Sequence, residues 1–373
     1  MNRRQAFQIL GGVAALVAGG YAWRERRGLT RADLESDDPV QSPRHTVISP
    51  AMEAMLYHAS LAPSGHNTQP WTVRVKEGAL AIGSDRARWL PKVDPSNREL
   101  ALSIGAFLEN LIVAAPSHGY LADYEVTAEL PSDRELLDVT LRSTPVRADP
   151  LDRLRTRRTV RSGHLSRELT DSDVRGLSAA FPQEALFVSP TSREGRYLAE
   201  GTIEANRVQG LRDEAQGELA DWIRWTNAEA RARPDGLTPE SMEISGLAGW
   251  YVRHFMNRAT VQGTRFRQQG VDRVRDQVAR CGGWMVVTSQ DSTLPALIET
   301  GRRTNRMWLN ARDRSIAIHP MSQMLEEAPF RDQIGRELGV TGHVQFILRV
   351  GYIARYPDPV SLRRRVSSFL ITS

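Results

Sequence analysis

A helix that is apolar on every side cannot lie on a protein surface, and the segment NRELALSIGAFLENLIVAAPSHGY, residues 97–120, reads as one. Leu100, Ile104, Phe107, Leu108, Leu111 and Ile112 recur at helical spacing round most of the circumference, so the rest of the chain must be built around this element. A second glycine-bearing stretch, LIETGRRTNRMWLNARDRSIAIHPMSQM at residues 297–324, echoes it. Setting Gly105 on Gly301 also sets Leu111 on Met307, Ile112 on Trp308 and Ala115 on Ala311. The identities are few, but the order of elements repeats at the same offset of 196, which predicts two related halves within one chain.

The first half, residues 51–150, reads as an amphipathic helix over 51–61 and a hairpin WTVRV–ALAIG turning at Gly78. The apolar helix follows, then the strands ADYEVTAEL and LLDVTLR. The second half, 151–373, opens with a predicted helix LDRLRTRRTVRSGHLS, then TDSDVRGLSAAF and the short strand ALFVS. About 75 residues, roughly 205–282, have no counterpart in the first half. They include a helical stretch ELADWIRWTNAEARARPDG and the segment GLAGWYVRHFMNRATVQ, with Trp222, Trp225 and Trp250. Core packing is the plain role for these tryptophans, and a lid over a pocket is the sharper one. The fold class expected is α+β, with mixed sheets packed on a helical core.

Composition describes a folded chain, 40% apolar and 25% charged. The net charge of +5 is concentrated at the start: Arg3, Arg4, Arg24, Arg26 and Arg27 stand against Glu25, which leaves 44 basic and 43 acidic residues after position 27. A nucleic-acid groove needs a clustered cationic excess, so no nucleic-acid partner is expected. Cys281 is the single cysteine, which excludes an intrachain disulfide and a CxxC pair, and the eight histidines show no ligand spacing, so no metal is expected.

The first 27 residues, MNRRQAFQILGGVAALVAGGYAWRERR, place an arginine pair before an apolar run over residues 6–23 and resemble a twin-arginine export signal. Gly20, Tyr21 and Ala22 offer small residues for cleavage, whereas Trp23 and the following arginines suit an uncleaved membrane anchor, and both remain open. Export to the periplasm or tethering to the cell membrane is the expectation. Residues 28–50, polar and proline-bearing, read as a linker.

Two short motifs carry the chemistry. APSGHNTQPW, residues 62–71, has turn formers in Pro63, Ser64, Gly65 and Asn67, and a connection from helix to strand accounts for part of it. The density of polar groups points further: Ser64, Asn67 and Gln69 can read the carbonyls and ring nitrogens of a flat heterocycle, with Gly65 allowing close backbone approach. RTRRTVR, residues 155–161, supplies guanidinium groups that grip phosphate oxygens as a fork; on a continuous helix Arg157 and Arg161 share a face, and Thr159 adds a hydroxyl.

With APSGHNTQPW, RTRRTVR, the glycine-bearing helix of each half and the RRR cluster at 363–365 in view, the chain resembles the FMN-dependent nitroreductase family, specifically its single-chain Acg-like branch. The resemblance implies a nitroreductase-like fold in which two tandem halves mimic the family's homodimer, so the chain is expected to be a monomer. It implies one FMN per chain, because the first half has HTVISPAMEAM where the arginines belong and the second has AAFPQEALFV in place of the amide loop. The implied cofactor-binding residues are Pro63, Ser64, Gly65, Asn67 and Gln69 from one half and Arg157, Arg158, Thr159 and Arg161 from the other. Pro320, Met321 and Ser322 are implied near the flavin N5, with Arg363 and Arg365 as further phosphate contacts, and His319 lies within that segment as either a turn residue or a site residue.

The resemblance further implies ping-pong hydride transfer from NAD(P)H, or another donor where export makes nicotinamide scarce, to small nitroaromatic or quinone-like acceptors. No side-chain catalyst is implied, since the flavin N5 carries the chemistry. No GxGxxG follows a strand, so no separate dinucleotide domain is expected. The competing expectation is a catalytically inactive shell that sequesters flavin or another ligand.

Overall fold

The computed structural model describes residues 27–37, 48–148, 151–181 and 183–371. Apart from Arg27, the segment expected to direct export lies outside them, as do residues 38–47 of the expected linker. The described part of that linker is docked on the body. Arg31–Asp37 form a helix whose start is capped by Asp33 accepting from Thr30, and Leu29 is buried against Ala230 and Leu362. Burial of Leu29 and of the Arg31 stem holds the segment down; the Arg31 guanidinium donates to the Arg155 carbonyl.

Among the described residues nine strands form two sheets: β1 (Trp71–Lys76), β2 (Ala79–Ser84), β3 (Tyr120–Val126), β4 (Glu135–Ser143), β5 (Ala185–Val188), β6 (Gly283–Ser289), β7 (Ile316–Pro320), β8 (His343–Tyr352) and β9 (Leu370–Ile371). One sheet runs β3-β4-β2-β1-β9 and the other β7-β8-β6-β5. Hairpin, central helix and hairpin follow each other in both, and every pairing is antiparallel except β1 with β9. In the first sheet the β1–β2 turn is Glu77-Gly78, with Gly78 at φ 67°; in the second, residues 189–282 separate β5 from β6. This extra segment includes the helix Arg193–Leu211 as well as the roughly 205–282 read from the sequence as without a counterpart.

The two central helices, Arg98–Ala114 and Leu294–Asp313, cross at their glycines. A Cβ on Gly105 would stand 2.1 Å from the Ile298 carbonyl oxygen, and one on Gly301 would stand 2.1 Å from that of Leu102. Leu102 and Ile298 stand in the same correspondence as the two glycines, so the contact is reciprocal. Beyond the crossing, Asn305 donates to Asn110 Oδ1 at 2.7 Å, and the buried Glu109 carboxylate receives Arg302 and Arg306 at 3.1 and 2.7 Å. Ile104, Phe107, Leu108 and Leu111 have no exposed surface. The chain closes by returning to the first sheet: β9 pairs with β1, and Phe369 packs edge-on to Phe107.

Two helices expected from the sequence are shorter in the structure. LDRLRTRRTVRSGHLS is helical only over Asp152–Thr156, and Arg157 is extended at φ −62°, ψ 135°. The stretch ELADWIRWTNAEARARPDG breaks after Asp221, because Thr226 and Glu229 form a capping box that starts a new helix, Asn227–Ala232. Trp225 packs in a cluster with Ile223, Val252 and Val261, Trp222 lies against Leu90 and Val93 of the first half, and Trp250 stacks on His254.

Candidate functional site

The loop that follows the helix Pro50–Ser60 is held in an expensive conformation. His66, Asn67 and Gln69 all have positive φ, 45°, 54° and 52°, which for residues with a Cβ costs on the order of 1–3 kcal/mol each and persists only where surroundings enforce it. The enforcement is visible. Asn67 Nδ2 donates to the carbonyls of Gly236 and Leu362, and its Oδ1 accepts from Arg363 at 3.0 Å. Gln69, fully buried, donates to Pro234 O and accepts the Arg364 amide at 2.9 Å. Both amides, read from the sequence as ligand contacts, thus tie the loop to residues 234–236 and to the C-terminal arginine run. Ser64 accepts the Gln69 amide at 2.9 Å.

Two cavities meet at this loop. The larger, about 220 Å³, lies between Pro63–His66, the two central helices at Ser103, Ala106, Gly301 and Trp308, and the end of β7 at Pro320 and Ser322. The smaller, about 110 Å³, runs from the same loop between Arg31, Arg157, Arg158 and Arg363. Pro63, Ser64, His66, Thr159 and Arg161 line both. Together they reach the low end of the ~300–1,000 Å³ usual for cofactor pockets.

Of the residues implied by the resemblance, the cavities gather Pro63, Ser64, Gly65, Asn67, Arg157, Arg158, Thr159, Arg161, Pro320, Ser322 and Arg363. Gln69 backs the loop, Met321 is packed in a core cluster, and Arg365 is exposed. The inward members of the arginine run are Arg363 and Arg364, the latter donating to Gln69 O at 2.8 Å. Arg157 and Arg161 reach the site from an extended segment, not from a shared helix face.

The small cavity is a cationic end. Arg157, 4% exposed, donates Nη2 to Leu61 O at 2.8 Å and lies over the Trp308 ring, leaving Nε and Nη1 without acceptors. Arg363 spends its Nη groups on Asn67 and on carbonyls at residues 61–62, and its Nε is unpartnered. Among the described residues neither forms an ion pair with a carboxylate. Burial pushes the Arg157 guanidinium down to about 10 and the Arg363 guanidinium well below its ordinary value, the latter further repelled by Arg157 and Arg31. Buried unpaired cations are costly, and unfilled donors on both point to an anion such as a phosphate.

The far wall of the large cavity is acidic, which sequence reasoning missed. Glu99 stands beside the loop, its Oε2 3.4 Å from where a Cβ on Gly65 would be, and Glu326 accepts from Gln209 of the extra segment. Burial raises both carboxyls, Glu326 to about 8; the charge of Asp94 adds to the rise at Glu99, and that of Glu99 to the rise at Glu326. The folded chain therefore binds more protons here than the unfolded one, and stability falls as pH rises from the ordinary carboxylate range to about pH 8. In Glu326→Gln this loss is expected to shrink, by ~4 kcal/mol at pH 8. Thermal unfolding at about pH 5 and about pH 8 checks it; an equal drop in both proteins would reject the carboxyl's role. Thr304 Oγ1, Asn305 Oδ1, Trp308 Nε1 and His66 Nδ1 are also buried without partners, so the large cavity offers an occupant unfilled hydrogen-bonding groups.

No protein-family model matches the chain. It is similar to a protein named as an NAD(P)H nitroreductase, Rv3131 of Mycobacterium tuberculosis, 26% identical over 341 residues that span 88% of this chain and 93% of that one. It is also similar to one named as the NAD(P)H nitroreductase acg of the same organism, 24% identical over 337 residues, 87% of this chain and 96% of that one. The FMN-dependent nitroreductase NfnB of Mycobacterium smegmatis, solved in complex with NADPH, aligns with 59% of this chain and 96% of its own at 16% identity and a TM-score of 0.37.

Proposed function

We propose that this chain, a nitroreductase-type oxidoreductase, binds one FMN per molecule and reduces nitroaromatic or quinone-like acceptors with electrons from NAD(P)H or another donor. The observation that carries the reading is the pair of buried guanidiniums, Arg157 and Arg363, without a carboxylate partner among the described residues, at a cavity that shares Pro63, Ser64, His66, Thr159 and Arg161 with a second one lined by both central helices. When bound, FMN supplies hydride transfer. The protein's part is placement: Arg157 and Arg363 hold the phosphate, the Thr159 hydroxyl and Arg161 span the junction, and Trp308, Pro63 and Pro320 wall the ring space. Glu99 and Glu326, protonated in part at neutral pH, hold protons at the far wall.

A single site per chain fits the reciprocal geometry. Under the correspondence of Gly105 with Gly301, the cavity residues Ser103, Ala106 and Asn305 match Glu299, Arg302 and Glu109. Those three are engaged in ion pairs, with Tyr124 donating to Glu299 at 2.9 Å. The same reading takes the two sheets and helices as tandem halves of a monomer, and residues 1–27 as an export segment or anchor.

A second reading, a flavin-sequestering shell without turnover, is favoured by one observation: Gln209, Leu237 and Ser241 of the extra segment line the cavities and so cover them. The test is an absorbance spectrum of the full chain before and after FMN, followed by NADPH oxidation with a nitroaromatic or quinone acceptor. Arg31 lines the small cavity, so the docked residues 27–37 must be kept. Flavin bands with turnover and parallel double-reciprocal plots are expected. Flavin uptake without turnover selects the sequestering shell, and a chain that takes up no FMN defeats both.

A further inference from the structure

A third cavity, about 300 Å³, lies on the other side of Arg161 and takes no part in the reading above. Its inner wall is Arg349, 1% exposed in β8, together with the neutral His164, 4% exposed; Arg349, Arg161, Arg273 and Arg280 make the cationic lining, against Glu243 and Asp276. The acidic residues do not balance it. Glu243 is already committed, accepting from Arg158 Nη2 at 3.1 Å, from the Arg161 amide at 2.9 Å and from the Ser162 hydroxyl. Asp276 is exposed and forms no ion pair among the described residues. The Arg280 guanidinium has no hydrogen-bond or ion-pair partner there either, and that of Arg273 reaches only the Met242 carbonyl at 3.4 Å.

Arg349 donates its Nη groups to the carbonyls of Gln277 and Arg161, and its Nε is left without an acceptor. His164 uses Nε2 on Val160 O at 3.0 Å, and its Nδ1 is likewise unpartnered. His319, opposite Arg349 in the β7–β8 register, is a third buried polar group of this cluster, also with Nδ1 unpartnered. Burial and the charge of Arg349 hold His164 neutral, down to about 3. A cavity with a buried cation unsatisfied at its base and arginines round it, at a position where a hydrophobic residue of β8 would cost nothing to bury, is built for negative charge.

We propose that this cavity is an anion subsite that takes a phosphate or diphosphate group, carried by a nucleotide or free. The forked donors of Arg349, Arg280 and Arg273 suit phosphate oxygens, and the volume exceeds that of a single phosphate. The inference does not depend on flavin binding.

Isothermal titration of the full chain at low salt, with and without FMN, against inorganic diphosphate and against adenosine 2′,5′-bisphosphate tests it. Saturable one-to-one binding that weakens with salt is expected for at least one ligand, tighter for the adenosine compound if a nucleotide is the source and equal or tighter for diphosphate if the free anion is. Arg273→Ala with Arg280→Ala, both at exposed positions, should weaken it tenfold or more with FMN uptake unchanged, and Arg349→Met should abolish it. Absence of saturable binding at millimolar ligand, or binding indifferent to the exposed double variant, overturns the proposal; that variant decides even if Arg349→Met fails to fold.

Discussion

Gly105→Ala is expected to lose about 3 kcal/mol of folding stability, although alanine is the better helix former by ~1 kcal/mol. The added methyl would lie 2.1 Å from the Ile298 carbonyl oxygen, 2.9 Å from its carbon and 3.0 Å from the Arg302 nitrogen. All three are backbone atoms of a hydrogen-bonded helix, so no rotamer change can make room and the helices themselves must part. Parting opens gaps along a seam whose residues have no exposed surface. Gly301→Ala meets the Leu102 carbonyl at the same 2.1 Å and should cost a similar amount. One separation relieves both clashes, so the double variant should lose clearly less than the sum of the two. Denaturant unfolding of the three variants checks this; a loss below ~1 kcal/mol for either single variant, or simple additivity, would show that the helices do not meet at their glycines.

Arg157→Met is expected to separate binding from stability. FMN affinity should fall by a factor of about 10²–10³, the range for removing one partner of a buried, charge-assisted contact. The apo protein should unfold at an unchanged or higher temperature, because the substitution removes a buried cation that no carboxylate among the described residues neutralises. Thermal unfolding with and without FMN, alongside a fluorescence titration of the flavin, reads both quantities. A destabilised apo protein with undiminished FMN affinity would assign Arg157 to holding the Leu61 carbonyl, and the phosphate would have to be sought elsewhere.

Local chemistry made much of this legible in advance. The apolar circumference of residues 97–120 could be satisfied only at the centre of the molecule, and the glycine correspondence pointed to a related second helix. That the two helices cross at those glycines was decided by the packing, where only a residue without Cβ lets two backbones approach so closely. Pro63 to Gly65 and Arg157 to Arg161 were read from residue type as candidate heterocycle and phosphate contacts, and the fold brings them to adjoining cavities. Tertiary context decided the rest. Asn67 and Gln69 have the same donors wherever they point, and only the nearness of Gly236, Pro234 and Leu362 turned them toward the backbone. The helix after Asp152 stops at Thr156 although its sequence could continue, since packing can override a weak helical propensity. Glu99, Gln209, Trp308 and Glu326 come from distant parts of the chain, and nothing near any of them in sequence marks it as facing a cavity. Side-chain type is a property of the residue and survives in the sequence, whereas the direction a side chain faces and the charges it meets are properties of packed neighbours, and these exist only once the chain has folded.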